Sequence, residues 1–289
     1  TPFLENGGFT HETWPKCLPE APIESVTECG EAMKAFEPDL IMAVGGGSVM
    51  DAAKAAWILY ARPDIQPDAI SPMEVFNLRQ KARLIAIPTT SGTGSEVTWV
   101  MVLTDAAGRR KVSLGTREAM PDIAILNTAF VQNLPTQITA DTGMDALAHA
   151  MEAYTCLGKN PLSDTHAKTA VRLISDNLLP VLNHPDNREG RLALAMAATL
   201  AGVAFANSMV GGVHTIGHDL PDEDIRRKAH VALEGRGFTE VVNLVLSSEE
   251  EQYNRMGMEP PEDVTRIINP ITEQNTILRT HLVPDLLAY

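Results

Sequence analysis

Val44-Gly45-Gly46-Gly47-Ser48-Val49-Met50-Asp51-Ala52-Ala53-Lys54 is the stretch on which the fold of the first half turns. Immediately before the glycines, Asp39 to Val44 is a short, largely apolar run, as expected of a strand covered on both faces. Immediately after them, Val49 to Tyr60 carries a helical pattern. Glycines at such a junction let backbone N–H groups approach a pyrophosphate, and the helix N-terminus adds partial positive charge. Ser48 is expected to serve as N-cap, with Asp51 at N3 in the manner of a capping box. The stretch is not GxGxxG, and a plain tight turn capped by Ser48 remains the alternative to phosphate binding.

Working outward, Ala21 to Phe36 reads as an amphipathic helix with Ile23, Val26, Met33 and Phe36 on its apolar face. Leu84 to Ile87 is a second buried strand closed by Pro88, and Trp99 to Thr104 and Ile123 to Leu126 are further candidates. Strands alternating with helices argue for a parallel α/β sheet. The run from Ile87 to Glu96, IPTTSGTGSE, places hydroxyls and glycines at a strand end, where α/β sheets hold ligands. After Pro135 the character changes. Ile138 to Tyr154, Leu162 to Leu179, Glu189 to Ala206 and Val213 to Leu220 are all helical in period. A boundary near Leu134-Pro135 therefore divides an α/β domain, residues 1–134, from an all-helical domain, residues 135–289.

In the helical half, Asp145 and His149 stand four residues apart, as do His214 and His218. That spacing puts each pair on one helical face. Carboxylate plus imidazole suits Fe(II), Zn(II) or Mn(II), while a single such pair is more often an ordinary hydrogen bond. An unpaired carboxylate amid Met144 and Leu147 would be costly, which favours a shared ion over two unrelated pairs.

Composition excludes several classes. The chain has 289 residues, with 23 Lys plus Arg against 37 Asp plus Glu, a net charge of −14. An acidic chain with no basic block lacks the footprint of a nucleic-acid or anionic-membrane binder. Cys17, Cys29 and Cys156 are too few and scattered for a disulfide framework, and the first residues show no signal peptide, so a reducing cytoplasm is expected. Leu192 to Val213 is uncharged and long enough to span a bilayer, but its Ala and Gly content, with Thr199, Asn207 and Ser208, fits a buried helix better.

GGGSVMDAAK, IPTTSGTGSEVT, DTGMDALAHAMEAY and GGVHTIGH together resemble the iron-containing (group III) alcohol dehydrogenases, from about Cys17 to Leu220. The resemblance implies the dehydroquinate synthase-like architecture, a Rossmann-like NAD(P) domain followed by a helical metal domain with the active site in the cleft between. It implies that Gly45, Gly46, Gly47, Ser48 and Val49 bind the pyrophosphate. Thr89 and Thr90 would contact the adenosine side, with Val102, Lys111 and Phe130 lining the rest of that site. Asp145, His149 and His214 match three of the family's four metal ligands, for Fe(II) or alternatively Zn(II), and His218 matches a histidine placed near substrate and nicotinamide. Asp51 and Glu96 are expected to serve turn and loop structure, and Trp99 and Phe205 the core. The implied reaction interconverts a small alcohol and its aldehyde or ketone, with NAD or NADP, in a homo-oligomer.

Two parts of the family pattern are missing. The strand-rich start that would distinguish NAD from NADP is absent, and no Pro-His-Gly turn supplies a fourth ligand after His218; His230 sits in a charged context. Family character returns in part at Ile267 to Thr272. The abrupt junctions and the lack of an initiator Met favour a sequence joined from pieces of a longer protein. Genuine deletions would instead leave a non-catalytic nucleotide-binding or scaffold member.

Overall fold

A computed structural model of the chain describes residues 2–108, 110–211 and 214, together with 246–247 and 277–278. Residues 1–221 pack as one compact unit and 222–289 as another. In the second, the described residues form a short antiparallel pair, Leu246–Ser247 with Ile277–Leu278.

The first unit begins with a single helical turn, α1 (Pro2–Asn6), and the amphipathic α2 (Ile23–Phe36). Strand β1 (Leu40–Gly45) leads through the glycines into α3 (Gly47–Ala61). Strands β2 (Arg83–Pro88) and β5 (Ile123–Ala124) complete a parallel sheet of order β1-β2-β5. Between them, β3 (Val100–Asp105) and β4 (Arg110–Gly115) form a separate antiparallel hairpin. The sequence reading found β3 but not β4. The missing signal was the Asp105-to-Arg110 turn, where Asp105 accepts the Gly108 N–H at 2.8 Å and pairs with Arg110 at 3.1 Å.

Helix α3 is the centre of this core. It packs on β1, β2 and β3, and Met50, Trp57 and Ile58 are at most 1% exposed. Contrary to the sequence expectation, β1 is covered on one face only. Ile41 and Ala43 face α3, but Leu40, Met42 and Val44 are 43%, 49% and 44% exposed. An all-apolar run records only that both faces avoid charge; it does not supply the second covering layer.

After the short α4 (Thr128–Val131), three long helices form the second lobe: α5 (Thr136–Thr155), α6 (Pro161–Asn183) and α7 (Arg188–Ser208). Asn160 begins α6 through a reciprocal capping box with Ser163, and Asn187 caps α7 by accepting the Gly190 N–H. Alanines at the contacts (Ala150, Ala153, Ala167, Ala170, Ala201, Ala204) are all fully buried and let the helix backbones approach closely. Helix α7 is apolar and long enough to cross a membrane, yet 56% of its apolar window is buried in this unit, as the sequence reading expected.

The lobes meet through α7. Gly94 approaches Gly202 so closely that a Cβ on Gly202 would lie 2.8 Å from the Gly94 carbonyl oxygen. Thr199 donates to Glu96 at 2.6 Å, and the Trp99 indole donates to Ala206 O at 3.2 Å. At the expected boundary, Arg191 is 3% exposed and its guanidinium donates to the carbonyls of Val131 (2.9 Å) and Leu134 (3.1 Å). The turn at Leu134-Pro135 is thus fixed by a single buried fork.

Candidate active site

The glycine turn closes differently from the sequence expectation. Gly46 is the N-cap of α3, at φ −78° and ψ −172°, with no side chain capping the helix end. Its carbonyl already accepts from Val49 and Met50 N–H at 3.1 and 3.2 Å, so the helix starts before Ser48. Ser48 and Asp51 are therefore released from capping. Ser48 Oγ accepts the Glu20 N–H at 3.0 Å. Asp51 instead bridges two distant segments, accepting from Ser95 Oγ at 2.6 Å and from the Val102 N–H at 2.9 Å.

The glycines are required by neighbours. A Cβ at Gly45 would stand 2.5 Å from Val49 Cβ, and one at Gly47 would stand 2.7 Å from Thr93 Cγ2. Thr90 lies against Gly46, and the Thr89 N–H donates to Gly45 O at 2.9 Å. The two sequence-predicted segments thus meet at the C-terminal ends of adjacent parallel strands, beside an uncapped helix N-terminus. Sheets of this type bind ligands there, and such a helix end attracts anions.

A cleft of about 540 Å³ opens from this turn. Gly47, Ser48, Val102 and Lys111 line one side of it. Asp145, His149 and His214 line the other. Gly45, Gly46, Val49, Thr89 and Thr90 are not among the residues that line the cleft. Phe130, on α4, is 44% exposed and also lies off that wall. Trp99, expected in the core, lines the cleft; Phe205 belongs to the core as expected but also borders the cleft, where it stacks on the His149 ring at 4.5 Å between centroids. His218 and His230 lie outside the described residues.

Asp145, His149 and His214 each offer a ligand atom, and these lie within 4.8 Å of one another. Asp145 Oδ1 is 3.7 Å from His149 Nδ1 and 3.5 Å from His214 Nε2. Two ligands bound tetrahedrally at about 2.1 Å from one ion stand roughly 3.4 Å apart, so these separations fit a shared divalent metal. The two imidazoles stack at 4.0 Å between centroids. Both are buried, His149 at 7% and His214 at 9% exposure. Burial lowers the pKa of His214, but hydrogen bonds and charge from Asp145 and Glu152 outweigh it and hold the pKa above the ordinary value.

The sequence reading missed the polar network beneath the turn. Lys54 is completely buried, and Nζ donates to Ser95 Oγ (2.7 Å), Thr98 Oγ1 (3.3 Å) and Val100 O (3.0 Å). Burial lowers its pKa to about 8 against the opposing attraction of Asp51 and Glu96. Glu96 is raised by burial, with Thr199 opposing. Its role is the structural one expected, whereas Asp51 reaches the cleft wall as well.

A glycine turn at strand ends facing a buried Asp-His-His cluster defines a two-lobed, dehydrogenase-type architecture, Rossmann-like in one lobe and helical in the other. Solved structures share it. A 1,3-propanediol oxidoreductase matches with TM-score 0.70 and 32% identity, over 75% of this chain and 56% of that one. Sulfoacetaldehyde reductase from Bifidobacterium kashiwanohense, in complex with NAD+, matches with TM-score 0.64 and 32% identity, over 69% and 53%. The family profile "Iron-containing alcohol dehydrogenase" matches residues 1–128, and "Fe-containing alcohol dehydrogenase family, C-terminal" matches residues 139–223. Over these residues the chain belongs to the iron-containing alcohol dehydrogenase family. The NADPH-dependent butanol dehydrogenase of Clostridium saccharobutylicum is 41% identical over 217 residues, 75% of this chain and 55% of that protein. The chain spans about half the length of the curated relatives it matches.

The tail is different. Residues 207–289 match a profile described as "Phenylalanyl tRNA synthetase beta chain CLM domain". Ile267 to Thr272, read from sequence as a return of the dehydrogenase family, falls inside that match, and the dehydrogenase match ends at residue 223.

Proposed function

We propose that residues 1–221 form the nucleotide and metal halves of an NAD(P)-dependent oxidoreductase acting on a small alcohol and its aldehyde or ketone. The two halves meet at Leu134-Pro135. The observation that carries this reading is the single cleft shared by Gly47, Ser48, Lys111 and the Asp145–His149–His214 cluster. When bound, a divalent ion such as Fe(II) or Zn(II) supplies Lewis acidity toward a substrate oxygen, and the dinucleotide carries the two electrons. The chain's own residues position these partners. Main-chain groups at Gly46 to Ser48 orient the phosphates, and Lys111 at the rim adds positive charge. Trp99 and Phe205 contribute apolar wall that excludes water from the reacting carbon. We further propose that His218 serves as a proton relay, that the protein self-associates, and that it works in the cytoplasm. The three cysteines, all free thiols, support a reducing compartment.

A second reading is a nucleotide-binding member without turnover. It is favoured by the match of residues 207–289 to another family's profile. Anaerobic assay of the purified chain with Fe(II) or Zn(II), primary alcohols and NAD(P) separates the two. Metal-dependent reduction of the cofactor, absent in His149→Ala, supports the enzyme. Tight NADPH binding with no turnover under any metal supports the second reading.

A further inference from the structure

Glu152 was not singled out by any motif, yet it is a buried acid that three donors engage. It stands seven residues after Asp145 on α5, so Asp145, His149 and Glu152 follow one another along a single helical face. It is 7% exposed. One oxygen, Oε2, lies 2.5 Å from His214 Nδ1 and also accepts the backbone N–H groups of Gly211 (3.1 Å) and His214 (3.4 Å). A buried carboxylate is costly unless several donors satisfy it, and here three converge on one atom.

We propose that Glu152 is a positioning residue for the metal, holding His214 in the tautomer and orientation that present Nε2 to the ion. The inference rests on the metal reading given above and adds a residue outside the ligand set. An ionised carboxylate accepts but does not donate, so Nδ1 carries the proton. The Nε2 lone pair is then left on the side of Asp145, whose Oδ1 is 3.5 Å away. The second job is to hold the segment that delivers His214. Helix α7 ends at Met209 with φ 73°, in the left-handed region that a side chain disfavours. A strained residue persists only where its surroundings over-determine it. The two hydrogen bonds donated by the Gly211 and His214 backbone N–H groups to Glu152 supply that constraint, fastening the strained exit of α7 to α5.

The test is Co(II) and Zn(II) titration of the intact apo-protein, wild type against Glu152→Gln and Glu152→Asp, with the Co(II) absorption spectrum as the second readout. Gln keeps the shape and one acceptor but removes the charge. Outer carboxylate partners of metal-bound histidines typically contribute 10–100-fold in affinity. Glu152→Gln is therefore expected to weaken binding at least about tenfold, with a changed Co(II) spectrum and unchanged NADPH affinity. Glu152→Asp, which keeps the charge on a shorter arm, is expected to recover part of the loss. A folded Glu152→Gln protein with wild-type metal affinity and spectrum overturns the proposal, as does a wild-type chain that binds neither ion. Metal binding in the wild type that Glu152→Gln weakens, without turnover by either protein, sinks the dehydrogenase reading and leaves this one standing.

Discussion

In the proposed phosphate site the groups that matter are main-chain amides of the turn at Gly47 and Ser48, which line the cleft. At Asp145, His149 and His214 they are side-chain atoms, brought from α5 and from beyond the end of α7. The first construction is sensitive to added bulk and indifferent to side-chain chemistry, because any Cβ at Gly45 or Gly47 meets a neighbour within 3 Å. The second is the reverse: Asp145 and His149 lie in the ordinary helix α5, His214 follows the end of α7, and everything depends on which atoms the side chains carry. The two sites should therefore fail independently, and substitutions in each can show whether they do.

The largest effect is expected at the ligands. His149→Ala removes a donor that is buried and backed by the Phe205 ring. Metal affinity should fall by more than the ~10–100-fold that outer partners contribute, with NADPH affinity unchanged. Isothermal titration with each ligand in turn checks this. Parallel loss of both affinities would mean that the variant has lost its fold rather than its ligand.

Arg191→Ala comes next, because it breaks the junction rather than either site. It leaves the carbonyls of Val131 and Leu134 buried beside a cavity, and about 3 kcal/mol of unfolding free energy should be lost in urea denaturation. Arg191→Lys restores the charge but not the fork, and should recover less than half. A loss below about 0.5 kcal/mol in Arg191→Ala would show that the lobes are held by α7 packing alone.

How much of this was legible follows the same division. The glycine turn and its flanking strand and helix lie within one short stretch, so local pattern was enough to place them. The helices α5 to α7 announced themselves by period. What failed were inferences that needed a partner from elsewhere in the chain. Asp51 looked like a capping residue because its N3-like spacing from Ser48 is local, while its true partners, Ser95 and Val102, are far along the sequence. Leu40, Met42 and Val44 are apolar, but no periodicity states what lies opposite them. Lys54 reads as an ordinary helix lysine, and only the fold shows it to be fully buried. Glu152 is one acid among 37 Asp and Glu, and its register with Asp145 and His149 was a usable signal that went unread.

Lys54 gives the next prediction, a pH dependence. Its folded pKa of about 8 is below the ordinary 10.5, so between these values the unfolded chain binds more protons than the folded one. Stability contributed by this group therefore rises as pH increases from 8 to 10.5, where the penalty for burying the charge is relieved. Lys54→Met should lose about 2 kcal/mol near neutral pH, because Ser95 Oγ, Thr98 Oγ1 and the Val100 carbonyl each lose a buried donor. It should also lack the alkaline increment. Urea midpoints of both proteins at pH 7.5 and 9.5, a pair chosen about that window, measure the difference; parallel shifts would mean that Lys54 stays protonated throughout.

The smallest effect is expected at the turn, and it bears most directly on the comparison of the two sites. Gly47→Ala puts a methyl group 2.7 Å from Thr93 Cγ2, and a β-branched threonine has little freedom to turn away. The loop from Thr89 to Thr93 should be pushed off the helix end by a few tenths of an ångström, with the N-terminal amides of α3 still in place. NADPH affinity is then expected to fall about tenfold, about 1.4 kcal/mol, while Co(II) affinity and spectrum stay as in the wild type. Ser48→Ala is the matched control, because it removes a hydroxyl that accepts from the Glu20 N–H without adding bulk. If binding depends on main-chain amides, Ser48→Ala should cost less than Gly47→Ala. The opposite order would mean that the Ser48 hydroxyl, and not the exposed backbone, holds the phosphate, and the contrast between a main-chain site and a side-chain site would fail at its first member.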